Sequence, residues 1–242
     1  MPRQIAAICA SIAVLGTIVL AAEFWDTKPF LTWSDKELQQ LLADSPWSRT
    51  LTIVINTAGR GGNLGEADVF GGGRSGSEFG AGDAASDAAR GVGAGGRSGN
   101  LSLPPQLKLA ITWRSALPMK QALVRSQAGV NGAVSAEARG LLDRREEAYI
   151  LSLEGVPLAF ARAAAGFKAQ SFLKRDKRDP IAASDLVVQP LKDSLVLVFA
   201  FPKAGAITLD DKDIEFTTRL GTIEVKKKFP LKSMVFNGQL EL

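Results

Sequence analysis

Histidine is absent from all 242 residues. That removes the commonest metal ligand and the commonest general base near neutral pH. It also rules out a serine triad of the usual kind. Cysteine occurs once, as Cys9, inside an apolar N-terminal run. A chain that lost this run would have no disulfide, no thiol nucleophile and no Cys or His zinc site. Strong charge of either sign is missing too. The 29 basic and 25 acidic side chains leave a net charge of +4, too little to argue for nucleic acid without a clustered patch. No G-x-x-x-x-G-K-[ST] loop occurs. "GGGRSG" (71–76) and "GVGAGG" (91–96) match G-x-G-x-x-G, but neither joins a clear strand to an amphipathic helix, as dinucleotide binding requires. No cofactor is indicated.

What is present begins with a targeting signal. Arg3 heads an uncharged, mostly apolar run over residues 5–22, and small residues Ala21 and Ala22 precede the first acid, Glu23. This is the layout of a secretory signal peptide, with cleavage after Ala21 or Ala22. The alternative is an uncleaved membrane anchor, because the run approaches the ~18–20 residues that span a bilayer. Without residues 1–22 the chain keeps 28 basic and 25 acidic side chains, since only Arg3 is lost. Either way, the rest of the chain is expected outside a bacterial cytoplasm, periplasmic or secreted.

Residues 57–100 hold 15 of the 24 glycines, with Ser, Ala, Asp and Arg filling most of the remainder. Such a composition buries too little apolar surface to offset chain entropy. It reads as a long disordered loop between two strands. Residues 23–56 and 101–242 are then two parts of one domain.

The domain pattern mixes helices and strands without regular alternation. Ser34 followed by Glu37 is a capping box, and Leu38, Leu41 and Leu42 follow at helical spacing. Pro46 stops that helix. "RTLTIVIN" alternates Leu51, Ile53 and Ile55 with Thr50, Thr52 and Val54, and "QLKLAITW" alternates Leu107, Leu109, Ile111 and Trp113 with polar or small residues; both read as strands. A turn at Arg114-Ser115 leads into a helix with Pro118 in its first turn and Met119, Leu123 and Val124 on its apolar edge. "AEARGLLDRREEAYILSLEG" reads as a short helix entering a strand. "GVPLAFARAAAGFKAQSFLKR" reads as partly helical, interrupted at Gly166. From Ser184 onward strands dominate, and Asn237-Gly238 signals a tight turn. The fold class is α+β: a largely antiparallel sheet, a few packed helices and the Gly-rich loop.

Candidate chemistry is sparse. Trp25, Trp33 and Trp47 either close the core or form a binding surface, since aromatics enrich interfaces. Arg114, Ser115 and Lys120 sit at a strand-to-helix turn, a common place for function. They complete the candidate binding surface, and no catalytic or metal-ligating residue is assigned. "SFLK" (171–174) matches S-x-x-K, in which a lysine amine activates a serine, but no S-D-N or K-T-G motif supports it; as structure it reads as a helix with Ser and Lys outward. Asp210, Asp211, Asp213 and Glu215 lack the glycine and spacing of a calcium-binding hand, and sequence cannot give the separation that a glycosidase carboxylate pair needs. "KRDKR" (174–178) and "KKK" (226–228) are the basic clusters, either solvated faces or a surface for an anionic partner.

"KPFLTWSDKELQQLLADSPW", "WRSALPMKQALVR", "GVPLAF" and "ITLDDKDIEFTTRLGTIEVKKKFPLKSMVFNGQLEL" together resemble an uncharacterised family of exported bacterial proteins, some of whose relatives are labelled GWxTD-domain proteins. No G-W-x-T-D string occurs here. The resemblance implies export from a bacterial cell and carries no activity or catalytic residue. The expectation is an exported, non-catalytic binding or scaffolding module of the cell envelope. Its partner would be an envelope protein or an anionic surface, and it would touch the membrane only through an uncleaved N-terminus. The alternative is an extracytoplasmic hydrolase using carboxylates or a Ser/Lys pair.

Overall fold

The computed structural model describes residues 23–55 and 106–242. The expected signal segment (residues 1–22) and the expected Gly-rich loop (residues 57–100) lie outside the described residues. Chain order begins with α1 (Phe24–Thr27), a 3-10 turn (Phe30–Thr32), α2 (Asp35–Ala43), β1 (Asp44–Ser45), β2 (Ser48–Val54) and β3 (Gln106–Trp113). It continues with α3 (Leu117–Ala128), α4 (Ala136–Asp143), β4 (Ala148–Pro157), a long 3-10 helix (Leu158–Gln170), β5 (Phe172–Arg175), β6 (Arg178–Ala182), β7 (Asp185–Pro190) and β8 (Ser194–Pro202). A 3-10 turn (Leu209–Asp211), β9 (Asp213–Leu220), β10 (Ile223–Pro230), another 3-10 turn (Leu231–Met234), β11 (Val235–Phe236) and β12 (Gln239–Leu240) complete it.

The strands form a six-stranded sheet in the order β1-β2-β3-β4-β8-β7, a four-stranded sheet in the order β10-β9-β5-β6, and the β11–β12 hairpin. Every pairing among the described residues is antiparallel. The fold is α+β, as the sequence pattern requires.

Alternation decides which side chains face inward. Leu109, Ile111 and Trp113 of β3 line up with Leu151 and Leu153 of β4, and these with Phe199 and Leu197 of β8. All are buried. Ile214, Phe216 and Leu220 of β9 do the same beside Val225 and Phe229 of β10 and Leu173 of β5. The two inner faces meet. The Phe216 ring lies 5.6 Å from Phe199 and 6.2 Å from Phe201, and Trp113 lies 5.7 Å from Phe229. Such aromatic contacts contribute about 0.5–1.5 kcal/mol each beyond the area they bury.

Helices close the core. α2 starts on the Ser34 capping box, with the Glu37 backbone N–H donating to Ser34 Oγ and Ser34 N–H donating to Glu37 Oε2. Leu38 and Leu41 turn inward, but Leu42 is 42% exposed and leaves the expected apolar face. On α3, Met119 and Val124 are buried, whereas Leu123 is 47% exposed. Arg125 compensates: its guanidinium donates to Trp33 O at 2.8 Å and to Asp35 Oδ1 at 3.0 Å, tying α3 to the start of α2.

Two further expectations change. The Ala-rich stretch winds as one 3-10 helix through Gly166 rather than breaking there. Ala164 and Phe167, three residues apart, both face the core, as three residues per turn dictates. "SFLK" is no helix: Ser171 caps the end of the 3-10 helix, and Phe172, Leu173 and Lys174 enter β5 with Arg175.

Candidate functional site

The three tryptophans are interior. Trp25 is 6% exposed, and Trp33 and Trp47 are 0% exposed. They form an edge-to-face series: Phe30–Trp33–Phe24–Trp25–Trp47–Phe236, with centroids 4.8–6.4 Å apart. The reading of these rings as an exposed binding surface is therefore corrected. Burying such large apolar rings favours folding more strongly than display on the surface would. Trp47 also donates its indole N–H to the Glu241 carbonyl at 2.9 Å, which binds the first corner of the fold to the end of the sequence.

Arg114 and Ser115 form the turn between β3 and α3 and Lys120 lies in the first turn of α3, but their polar groups go three ways. Arg114 pairs with Glu154 on the outer face of the six-stranded sheet at 3.1 Å. Ser115 Oγ accepts the Ile150 N–H at 3.0 Å. Lys120 is only 5% exposed; its Nζ donates to the Arg144 carbonyl at 2.6 Å and pairs with Glu146 at 3.1 Å. A buried ammonium needs such partners, because an unpaired charge there would be strongly destabilising.

Around this lysine the fold gathers groups the sequence reading missed. Glu241 Oε2 accepts the Leu117 N–H at 3.1 Å. It thereby caps α3, whose N-cap residue Ala116 has no side-chain acceptor. Lys203 Nζ lies 5.1 Å above the Tyr149 ring, and the Tyr149 hydroxyl accepts the Ile207 N–H at 2.9 Å. Partial burial pushes the Lys203 ammonium below the usual lysine range; Lys120 adds to that, while Glu241 and Glu146 oppose it. Two carboxylates and two lysines thus share one corner. Pairing across about a hundred residues brings them there, so no local motif could announce them.

Ser171 and Lys174 diverge. Ser171 is fully buried, donates to the Phe167 carbonyl at 2.8 Å and shares a 2.7 Å hydrogen bond with Thr218. Lys174 is exposed on β5. Three residues apart on a strand, the two side chains face opposite sides. Asp211 turns inward: it accepts the Thr208 N–H at 2.9 Å and pairs with Arg178 at 3.3 Å. Among the described residues no group of three or more acidic, Cys or His side chains is placed to hold a metal ion.

The basic clusters fare differently. β5 and β10 both pair with β9, so sequence segments fifty residues apart meet on one sheet. Register sets Lys174 and Lys228 on either side of Glu215, and Phe172 and Lys226 on either side of Thr217, with Arg219 beside Glu224. Lys174, Arg219, Lys226 and Lys228 are exposed; Phe172 is half-buried and Thr217 lies 5% exposed beneath its neighbours. Lys226 pairs with Glu224 at 3.0 Å. That contact holds the Glu224 carboxyl below the usual range, with Arg219 and Lys174 adding smaller pulls. Four cations and three carboxylates, Asp213, Glu215 and Glu224, share this open outer face.

No helix among the described residues is long and apolar enough to cross a membrane. No protein-family model, curated protein or solved structure matches the chain.

Proposed function

We propose that this chain is an exported binding or scaffolding module of the bacterial cell envelope, and that it holds an anionic partner on the outer face of its four-stranded sheet. One observation carries the reading: Lys174, Arg219, Lys226 and Lys228, drawn from three strands, converge on a face that stays open. Lys226 pairs with Glu224 on that face, while Ser115 and Lys120 turn their polar groups to partners inside the fold. Export is supported by the apolar N-terminal run and by the quoted resemblance to exported bacterial proteins. The first core side chain, Trp25, follows that run by three residues.

The test is cross-linking in cells of a C-terminally tagged chain, with mass spectrometry of partners and of its own first residue. The expected result is envelope partners bound to a chain starting near Ala22 or Glu23. Lys226→Glu with Lys228→Glu should remove them. A partner set that charge reversal leaves unchanged would overturn the reading. A hydrolase reading would draw on Glu146, Glu241, Lys120 and Lys203 in their shared corner. Turnover of peptidoglycan, ester or glycoside substrates by the purified protein is its test.

A further inference from the structure

Resting on the reading of this face as a binding surface, we infer that its ligand is a linear acidic polysaccharide, a chain with carboxylates at intervals and hydroxyls between them. The argument lies in how the charges are spaced. Lys226 and Lys228, two residues apart on β10, stand about 7 Å apart, and Lys228 and Lys174, two strands apart, about 10 Å. Across the strands Glu215 lies between Lys174 and Lys228, Thr217 between Phe172 and Lys226, and Glu224 opposite Arg219.

A bilayer surface responds to summed charge near it, and three carboxylates (Asp213, Glu215, Glu224) among four cations leave this face at only +1. The same interleaving suits a ligand whose anions are discrete. Each lysine meets a carboxylate of the ligand, while Glu215 and Glu224 accept hydrogen bonds from sugar hydroxyls. Glu224 is paired with Lys226 at 3.0 Å, which holds its carboxyl below the usual range. Phe172 adds a half-buried ring on the same face, against which the apolar side of a sugar ring can lie.

Binding of the purified full chain is measured by titration calorimetry with oligomers of a uronic acid. Neutral dextran oligomers serve as one control, and vesicles of phosphatidylcholine with 30% phosphatidylglycerol, read by sedimentation, as the other. The expected result is saturable binding of the oligouronate that weakens with added salt and no binding of dextran. Lys226→Glu with Lys228→Glu should weaken it about tenfold or more. Phe172→Ala should weaken it about fivefold without changing the salt dependence. Circular dichroism of each exposed-face variant confirms that the fold is retained. Binding to vesicles without binding to oligouronate overturns this inference but leaves an anion-binding module standing. Binding to neither overturns the ligand class; the module reading is then judged by whether charge reversal strips partners in cells. Oligouronate binding that survives both variants places the ligand elsewhere and overturns the inference.

Discussion

Gly155 shows how tightly one residue can be constrained. It lies in β4 at φ +84°, where the register with β8 shifts between Glu154 and Val156. A Cβ there would stand 2.4 Å from the Lys108 carbonyl oxygen, a backbone atom that cannot swing aside. Positive φ and close approach are both demands only glycine meets without cost. Gly155→Ala should therefore destabilise the protein by about 1–3 kcal/mol. Chemical denaturation should show a lower midpoint at an unchanged slope; an unchanged midpoint would mean β3 and β4 move apart freely. Nothing in "LSLEGVPL" announces this requirement, because the bulge exists only relative to β3 and β8. Leu42 and Leu123 mislead for a related reason: helical spacing gives a stripe, and which of its edges meets the core is settled by the neighbouring element.

At the scale of the element, α2 was readable from its first four residues. Ser34 and Glu37 satisfy each other's backbone donors as a capping box should, and Lys28 adds an ion pair to Glu37. The Glu37 carboxyl is drawn from 4.5 to about 2, chiefly by the Lys28 hydrogen bond and then by the Ser34 backbone and hydroxyl. A carboxyl depressed in the folded state stabilises it above the unfolded value. The contribution is whole above about pH 4.5 and is lost as the pH falls toward 2. Glu37→Gln should thus melt below the parent protein at pH 6, with the gap closing as the pH approaches 2. A gap that stays constant across this range would assign the effect to packing instead. The strands were legible for the same local reason, since period-two alternation in β3, β9 and β10 needs no knowledge of partners. The 3-10 helix over Leu158–Gln170 was not, because its alanine content favours an α-helix, whereas packing against β4, β7, β8 and β9 fixes its winding.

Across the whole molecule, what escaped the sequence was strand order. The basic face exists because β9 sits between β5 and β10, and the shared corner of Lys120, Glu146, Lys203 and Glu241 exists because the last strand returns to the start of α3. Strand order also bears on the Gly-rich stretch. Val54 and Gln106 are direct partners in the β2–β3 ladder, so the two ends that flank it already lie side by side. Removing residues 57–100 leaves a short connection across neighbouring strands, and loop closure costs little per residue. The shortened chain should melt within about 3 °C of the full one. A larger fall would show that the deleted residues contribute to the fold.

The meeting of Trp25, Trp47, Phe236 and Glu241 also has a consequence in time. The ring series joins the earliest described residues to nearly the latest, and Leu242 is itself buried at 8% exposure. Synthesis delivers Trp25 and Trp47 about two hundred residues before Phe236 and Glu241. A growing chain therefore holds Trp25 and Trp47 unsealed, and α3 without its Glu241 cap, until Phe236 and Glu241 have cleared the ribosome. For the exported module proposed above, such late closure of the core would leave the chain open to passage across a membrane before it folds.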